Sequence, residues 1–242
     1  MRWIKWGGGS ASGVAAAILP AVFAMILGGQ QSPPAPPGPP APPPLPHFVV
    51  VVDAAHGGDD TGGHLNSGQL EKAATLAFSV RLRSLLSARG IQVVTTREAD
   101  QSLNPDQRAE IANRAHPQAC ISLHAAETGS GVHLFASSLA PSTPTRFMPW
   151  KTAQSGWVTR SLALAGMVNS ALSHGGTNVT LGRTSLPGID SMACPAVVIE
   201  LAPERDADKK TISEPDDANY QAQVAATLAS AILEWRTEAR QP

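Results

Sequence analysis

The sequence carries almost no net charge: 18 basic side chains stand against 19 acidic ones, leaving a formal charge of -1 over 242 residues. Neither sign forms a run. Phosphate backbones are held through clustered Lys and Arg, so nucleic acid is excluded as an expected partner. Aromatic residues are scarce as well, at 5%, which removes the stacking surface that single-stranded nucleic acids use. There is no internal repeat, no closely spaced His-Glu-x-x-His pattern, and only two cysteines. Set against these absences, 43% hydrophobic and 15% charged side chains describe a globular chain of one catalytic-sized domain rather than a disordered one.

An apolar run of full bilayer length is also missing. Residues 1–6 carry Arg2 and Lys5, and residues 14–27 are apolar apart from Pro20. This is a charged n-region followed by an h-region of secretory length, short of the roughly 20 residues that span a membrane comfortably. Residues 1–31 are therefore read as a signal peptide, with an uncleaved N-terminal membrane anchor as the alternative. Export to the periplasm or cell envelope is expected. No cysteine follows the run to carry a lipid. Residues 32–46 are mostly proline, which favours extended polyproline II and reads as a linker. The folded domain is expected over residues 47–238.

Within that domain the hydrophobic period alternates. Phe48 to Val52 is a β-branched run suited to a strand buried on both faces. From Glu71 to Arg89, Ala74, Phe78, Leu82 and Leu85 recur at helical spacing while Lys72, Ser79 and Arg83 fall elsewhere, and Gly90 ends the pattern. Ile91 to Thr95 is the next strand. Asn104-Pro105 supplies an N-cap and a first-turn proline for a helix through Ala115. Further strands are expected at Ala119 to His124, Val132 to Ala136 and Ala196 to Leu201, with helices at Trp157 to Leu172 and Tyr220 to Arg236. Such alternation predicts a three-layer α/β/α sandwich around a largely parallel, mixed sheet.

In such sheets chemistry gathers beyond the carboxyl ends of the strands. His56 follows the first strand, His124 ends Ile121-Ser122-Leu123-His124, and Glu200 ends Val197-Val198-Ile199-Glu200. Glu71 opens the helix that starts near the same edge. Two imidazoles and a carboxylate suit zinc, which in a catalytic site keeps its fourth position for water. A further carboxylate is then required to take the water's proton and pass it to a leaving amine. Glu200 fits that role.

Seven ordered blocks carry a resemblance. They are Val51 to Gly58, Leu70-Glu71-Lys72, Thr96-Arg97, Arg108 with Ile111-Ala112-Asn113, Ile121 to Ala125, Gly131 to Leu134 and Pro195 to Leu201. In order and separation they resemble the zinc-dependent N-acetylmuramoyl-L-alanine amidases of the amidase 3 family, the type of the bacterial cell-separation amidases. That resemblance implies that His56, Glu71 and His124 bind zinc and that Glu200 is the catalytic glutamate. It implies peptidoglycan as the partner, cut at the amide joining N-acetylmuramic acid to the L-alanine of the stem peptide. The flanks depart from the family pattern: Ala54-Ala55 replaces Pro-Gly, Ala126 replaces Asn, and Ala202-Pro203 replaces Gly-Phe. These changes keep open a non-catalytic wall-binding or activator module with the same fold, and a zinc hydrolase acting on another wall bond. The stretch from Ser137 to Ser155 leaves little room for an inhibitory helix over the pocket.

Other residues are given plainer roles. Asp53 is expected to orient a neighbouring group or the loop, and Arg97, Arg108 and Asn113 to be structural. His47, His64, His116, His133 and His174 are read as incidental, with His64 the one worth locating. Cys120 and Cys194 lie at the opposite strand ends from His124 and Glu200, so neither suits the metal. A bridge between them is possible if their strands are neighbours, but two buried free thiols are the preferred expectation.

Overall fold

Four consecutive valines start the fold. In the computed structural model, which describes residues 47–143 and 148–238, they begin β1 (Val49–Ala54), every residue of which is buried. The expected signal peptide or anchor at residues 1–31 and the linker at 32–46 lie outside the described residues. After β1 come α1 (Glu71–Ser87), β2 (Gln92–Thr95), α2 (Pro105–Arg114), β3 (Ala119–Ala125) and β4 (Val132–Ser137). The second half holds α3 (Val158–His174), β5 (Val179–Thr184), β6 (Ala196–Leu201), a small hairpin of β7 (Glu204–Arg205) and β8 (Thr211–Ser213), and α4 (Ala218–Glu238). Short 3-10 turns cover Trp150–Gly156 and Ile189–Ser191. Among the described residues, no helix is long and apolar enough to cross a membrane.

The main sheet has the order β2-β1-β3-β6-β4-β5. Strands β2, β1, β3 and β6 run parallel, whereas β4 is antiparallel to β6 and β5 parallel to β4. The expected mixed α/β sandwich is therefore the observed fold. The reversal at β4 has a simple cause: only residues 126–131 join β3 to β4, too few for the dozen or so that a parallel crossover needs.

Alternation along the strands sends side chains to two unlike layers. Val50, Val52, Ile121, Leu123, Val197, Ile199 and Leu201 pack with the inner faces of α1, α3 and α4 in one large core. On the other face Val51, Cys120, Ala196 and Val198 meet α2 and the turn at 189–191 in a smaller cluster. In α1 the buried stripe runs through Ala74, Phe78, Leu82 and Leu86, with Leu85 partly buried against the same core as expected, but it also includes Ser79, which the sequence placed outward. The helical turn of 3.6 residues brings Ser79 inward, and its hydroxyl donates to the Leu76 carbonyl at 2.8 Å.

The preferred expectation of free thiols is corrected. Cys120 and Cys194 form a disulfide with their Cα atoms 6.2 Å apart. Cys120 is paired in register with Ala196, because β3 and β6 are neighbours. Cys194 sits two residues before that position, within the span a disulfide bridges.

Candidate metal centre

The strand that begins with valines ends by turning sharply. His56 takes a left-handed φ of 61°, followed by Gly57 at 133° and Gly58 at 60°. A non-glycine residue in that region is strained unless its surroundings fix it. Two arginines do so. Arg97 donates to the carbonyls of Ala54 at 2.9 Å, Ala55 at 3.0 Å and Lys72 at 2.6 Å. Arg108 donates to the carbonyls of Ala54 at 2.7 Å and His56 at 2.6 Å. The structural reading of both arginines fits these contacts.

Asp53 anchors the same framework from β1. It accepts from Arg108 Nη1 at 2.7 Å, Thr96 Oγ1 at 2.6 Å and Ser122 Oγ at 2.7 Å. Burial pushes its carboxyl upward, but the Arg108 charge and the hydrogen bonds prevail and hold it below the ordinary carboxylate value. Asn113 donates to the Ser191 carbonyl and accepts from the Ala193 amide, so it too works as a brace.

Three of the sequence-derived residues converge. Glu71, the first residue of α1 and 6% exposed, lies between two imidazoles. Its Oε1 is 2.9 Å from His124 Nδ1 and its Oε2 is 3.2 Å from His56 Nε2. Backbone amides of Ala125 and Gly63 donate to the same two oxygens at 3.2 and 2.8 Å. Burial raises the Glu71 carboxyl, yet these donors outweigh it and leave the group strongly depressed. His56 is raised, first through its hydrogen bond to Glu71 against the opposing effect of burial, with a further contribution from Asp60.

The donor set fits a metal. One ligand atom from each of His56, Glu71 and His124 falls within 4.8 Å of the others. Ligands at zinc distances on a tetrahedron would be separated by about 3.3 Å, close to the two carboxylate-imidazole separations. Gly62 makes space for the cluster: a Cβ there would lie 2.6 Å from Glu71 Oε2 and 2.7 Å from His56 Cδ2.

A cleft of about 300 Å³ opens beside the cluster. His56, Asp60 and His124 line one side and Leu186, Pro187, Ile189 and Met192 the other. Asp190 secures the second wall by accepting from Ser137 Oγ at 2.6 Å and the Leu186 amide at 3.0 Å. Glu200 does not line this cleft. It stands one strand from His124, its partner in the β3–β6 register, and is partly exposed.

Two partners of the site residues were not singled out from sequence. Asp60 places both carboxylate oxygens 2.9 Å from His56 Nδ1. His133, read as incidental, brings Nδ1 to 2.9 Å from Glu200 Oε1. The four-residue spacing of Asp60 from His56 across a glycine turn was the available clue to the first. The second depends on antiparallel pairing of β4 with β6. His64 joins neither group: its backbone bridges Leu70 and its side chain is exposed.

Comparison with known proteins agrees with this architecture. The chain is 31% identical over 146 residues to the N-acetylmuramoyl-L-alanine amidase Rv3717 of Mycobacterium tuberculosis, covering 58% of this chain and 59% of that protein. It is 26% identical over 220 residues to a germination-specific N-acetylmuramoyl-L-alanine amidase of Bacillus subtilis, covering 80% and 82%. Among solved structures, the N-acetylmuramoyl-L-alanine amidase of Clostridium difficile 630 superposes with a TM-score of 0.62 at 23% identity, over 81% of this chain and 99% of that one. Ami1 of Mycobacterium smegmatis gives 0.63 at 21% identity, over 79% and 97%. At those identities the structural likeness speaks to the fold. Residues 50–234 match the Amidase_3 family, described as N-acetylmuramoyl-L-alanine amidase, and this chain belongs to that family.

Proposed function

We propose that the protein is a zinc-dependent peptidoglycan hydrolase that cuts the amide between N-acetylmuramic acid and the L-alanine of the stem peptide. The observation that carries this reading is the bridging of His56 and His124 by Glu71, with all three donor atoms within 4.8 Å. These three residues are assigned as the metal ligands. Held by these side chains, zinc would supply positive charge to polarise a carbonyl and to acidify a water molecule toward attack near neutral pH. Asp60 fixes the His56 ring through Nδ1 and so leaves Nε2 facing Glu71, where it would serve as a ligand atom. Glu200 is assigned as general base: it takes a proton from the attacking water and delivers it to the departing nitrogen.

The catalytic domain is assigned to residues 47–238, preceded by an export segment at 1–31 and a proline-rich linker at 32–46. The disulfide supports an oxidising location such as the periplasm or cell envelope. To test the activity, the full chain is incubated with purified peptidoglycan and the products are identified by mass spectrometry. Stem peptides beginning with L-alanine are expected, lost on chelation and reduced about 10²- to 10⁴-fold by Glu200→Ala. A zinc-loaded protein that releases nothing would point to a non-catalytic wall-binding or activator module. Cleavage of a different bond would assign it another hydrolase activity.

A further inference from the structure

Glu200 shares its strand end with a histidine whose seat is unusually well defined. β4 runs antiparallel to β6 in a register that sets His133 directly opposite Glu200. Directly opposed residues on one sheet face keep their side chains within contact distance, and His133 Nδ1 meets Glu200 Oε1 at 2.9 Å. Two further contacts hold the ring. It meets Phe135 edge-on, with centroids 6.5 Å apart. Beneath it passes Gly129, at a φ of 98°, where an added Cβ would come within 2.3 Å of His133 Cε1 and 2.8 Å of Nε2. The glycine thus provides both the turn and the space into which the imidazole settles.

With Nδ1 facing a carboxylate, the tautomer that satisfies both groups carries its proton on Nδ1 and donates it to Oε1. Among the described residues, no protein donor reaches Glu200 Oε2. One carboxylate oxygen is tethered and the other is available. We infer that His133 is a positioning residue for the proposed hydrolysis: by holding Oε1 it turns Oε2 toward the water whose proton Glu200 accepts. The same oxygen then returns that proton to the nitrogen as the carbon-nitrogen bond breaks. This inference rests on the assignment of Glu200 as general base. His133 acts through Glu200.

The test compares zinc-loaded full-length wild type, His133→Ala and His133→Asn on peptidoglycan. Asn can place an amide N–H where Nδ1 stood. For His133→Ala, kcat should fall about 10- to 100-fold with KM changed by less than about twofold, as expected for an interaction used mainly in the transition state. Zinc content and thermal midpoint should stay at the wild-type values, and His133→Asn should recover most of the lost kcat. Nitrogen-15 NMR of labelled histidines supplies a readout independent of turnover: a protonated Nδ1 on His133 in wild type, altered by Glu200→Ala. Unchanged kcat in His133→Ala overturns the inference, as does an unprotonated Nδ1 in wild type. Equal losses in both variants together with lowered thermal midpoints would make His133 structural. An inactive wild type would instead overturn the proposed function, and this inference with it.

Discussion

Leu123 and His124 are neighbours in β3, yet they belong to different kinds of interior. Leu123 is completely buried in the large core closed by α1, α3 and α4. His124 points the other way, toward a layer built from the ten-residue α2 and a three-residue turn. The first layer is mostly hydrocarbon, whose burial stabilises without requiring any fixed orientation, with a few hydrogen-bonded polar groups such as Thr75, Ser79 and Gln221 among it. The second buries Asp53, Arg108, Ser122, Ser137 and Asp190, which are tolerable there only because each is hydrogen-bonded. That layer leaves a cleft and holds polar groups in set directions. The contrast teaches that one sheet assigns cohesion and chemistry to opposite faces by the two-residue alternation of its strands.

The most drastic way to break the comparison is to truncate both neighbours in turn. His124→Ala should abolish zinc binding and hydrolysis together while lowering the thermal midpoint of the metal-free protein less than Leu123→Ala does, through loss of its hydrogen bond to Glu71, as read by metal analysis and calorimetry. Leu123→Ala should do the reverse, costing about 2–5 kcal/mol of stability while the folded fraction retains its activity. A Leu123→Ala protein of unchanged stability would refute the division between the faces. The next effect concerns the disulfide, which belongs to the thin side. Reducing it, or replacing Cys120 and Cys194 with Ala, should cost about 2–4 kcal/mol, measured by urea denaturation with and without reductant.

The smallest effect is confined to acid. Asp53 has a carboxyl held below its ordinary value, so its stabilisation is fully present above the unfolded value near 4 and is lost as pH falls through the lower folded value. Thermal midpoints of the wild type should therefore drop below about pH 4, more steeply than those of Asp53→Asn. Identical acid slopes would remove Asp53 from the account.

Elements on both faces were readable where their signals are local. Val49 to Val52 and the spaced apolar residues of α1 announce buried faces, and Asn104-Pro105 announces a helix start. In the structure Asn104 accepts from the Gln107 amide while the Gln107 side chain reaches back to the Asn104 amide, a reciprocal cap. The convergence of His56, Glu71 and His124 was legible from strand ends and from the ordered family blocks. Less accessible was whatever depends on pairing between distant segments. β5 escaped because it is an edge strand with no fully buried residue, so no alternation marks it. His133 carries no sign of its role until β4 is laid antiparallel to β6. The cysteine pair was undecided for the same reason, since spacing alone does not say which strands are adjacent.

That pair has a consequence for accuracy of assembly. Cys120 sits near the start of β3 and Cys194 just ahead of β6, while His124 and Glu200 stand opposite each other near the far ends of the same strands. A slip of one residue between β3 and β6 would turn every side chain of the shifted strand to the wrong face. The sulfur atoms would then face opposite sides of the sheet and could not join. Closure of the bridge is thus compatible only with the register that also sets His124 and Glu200, several residues away, opposite each other.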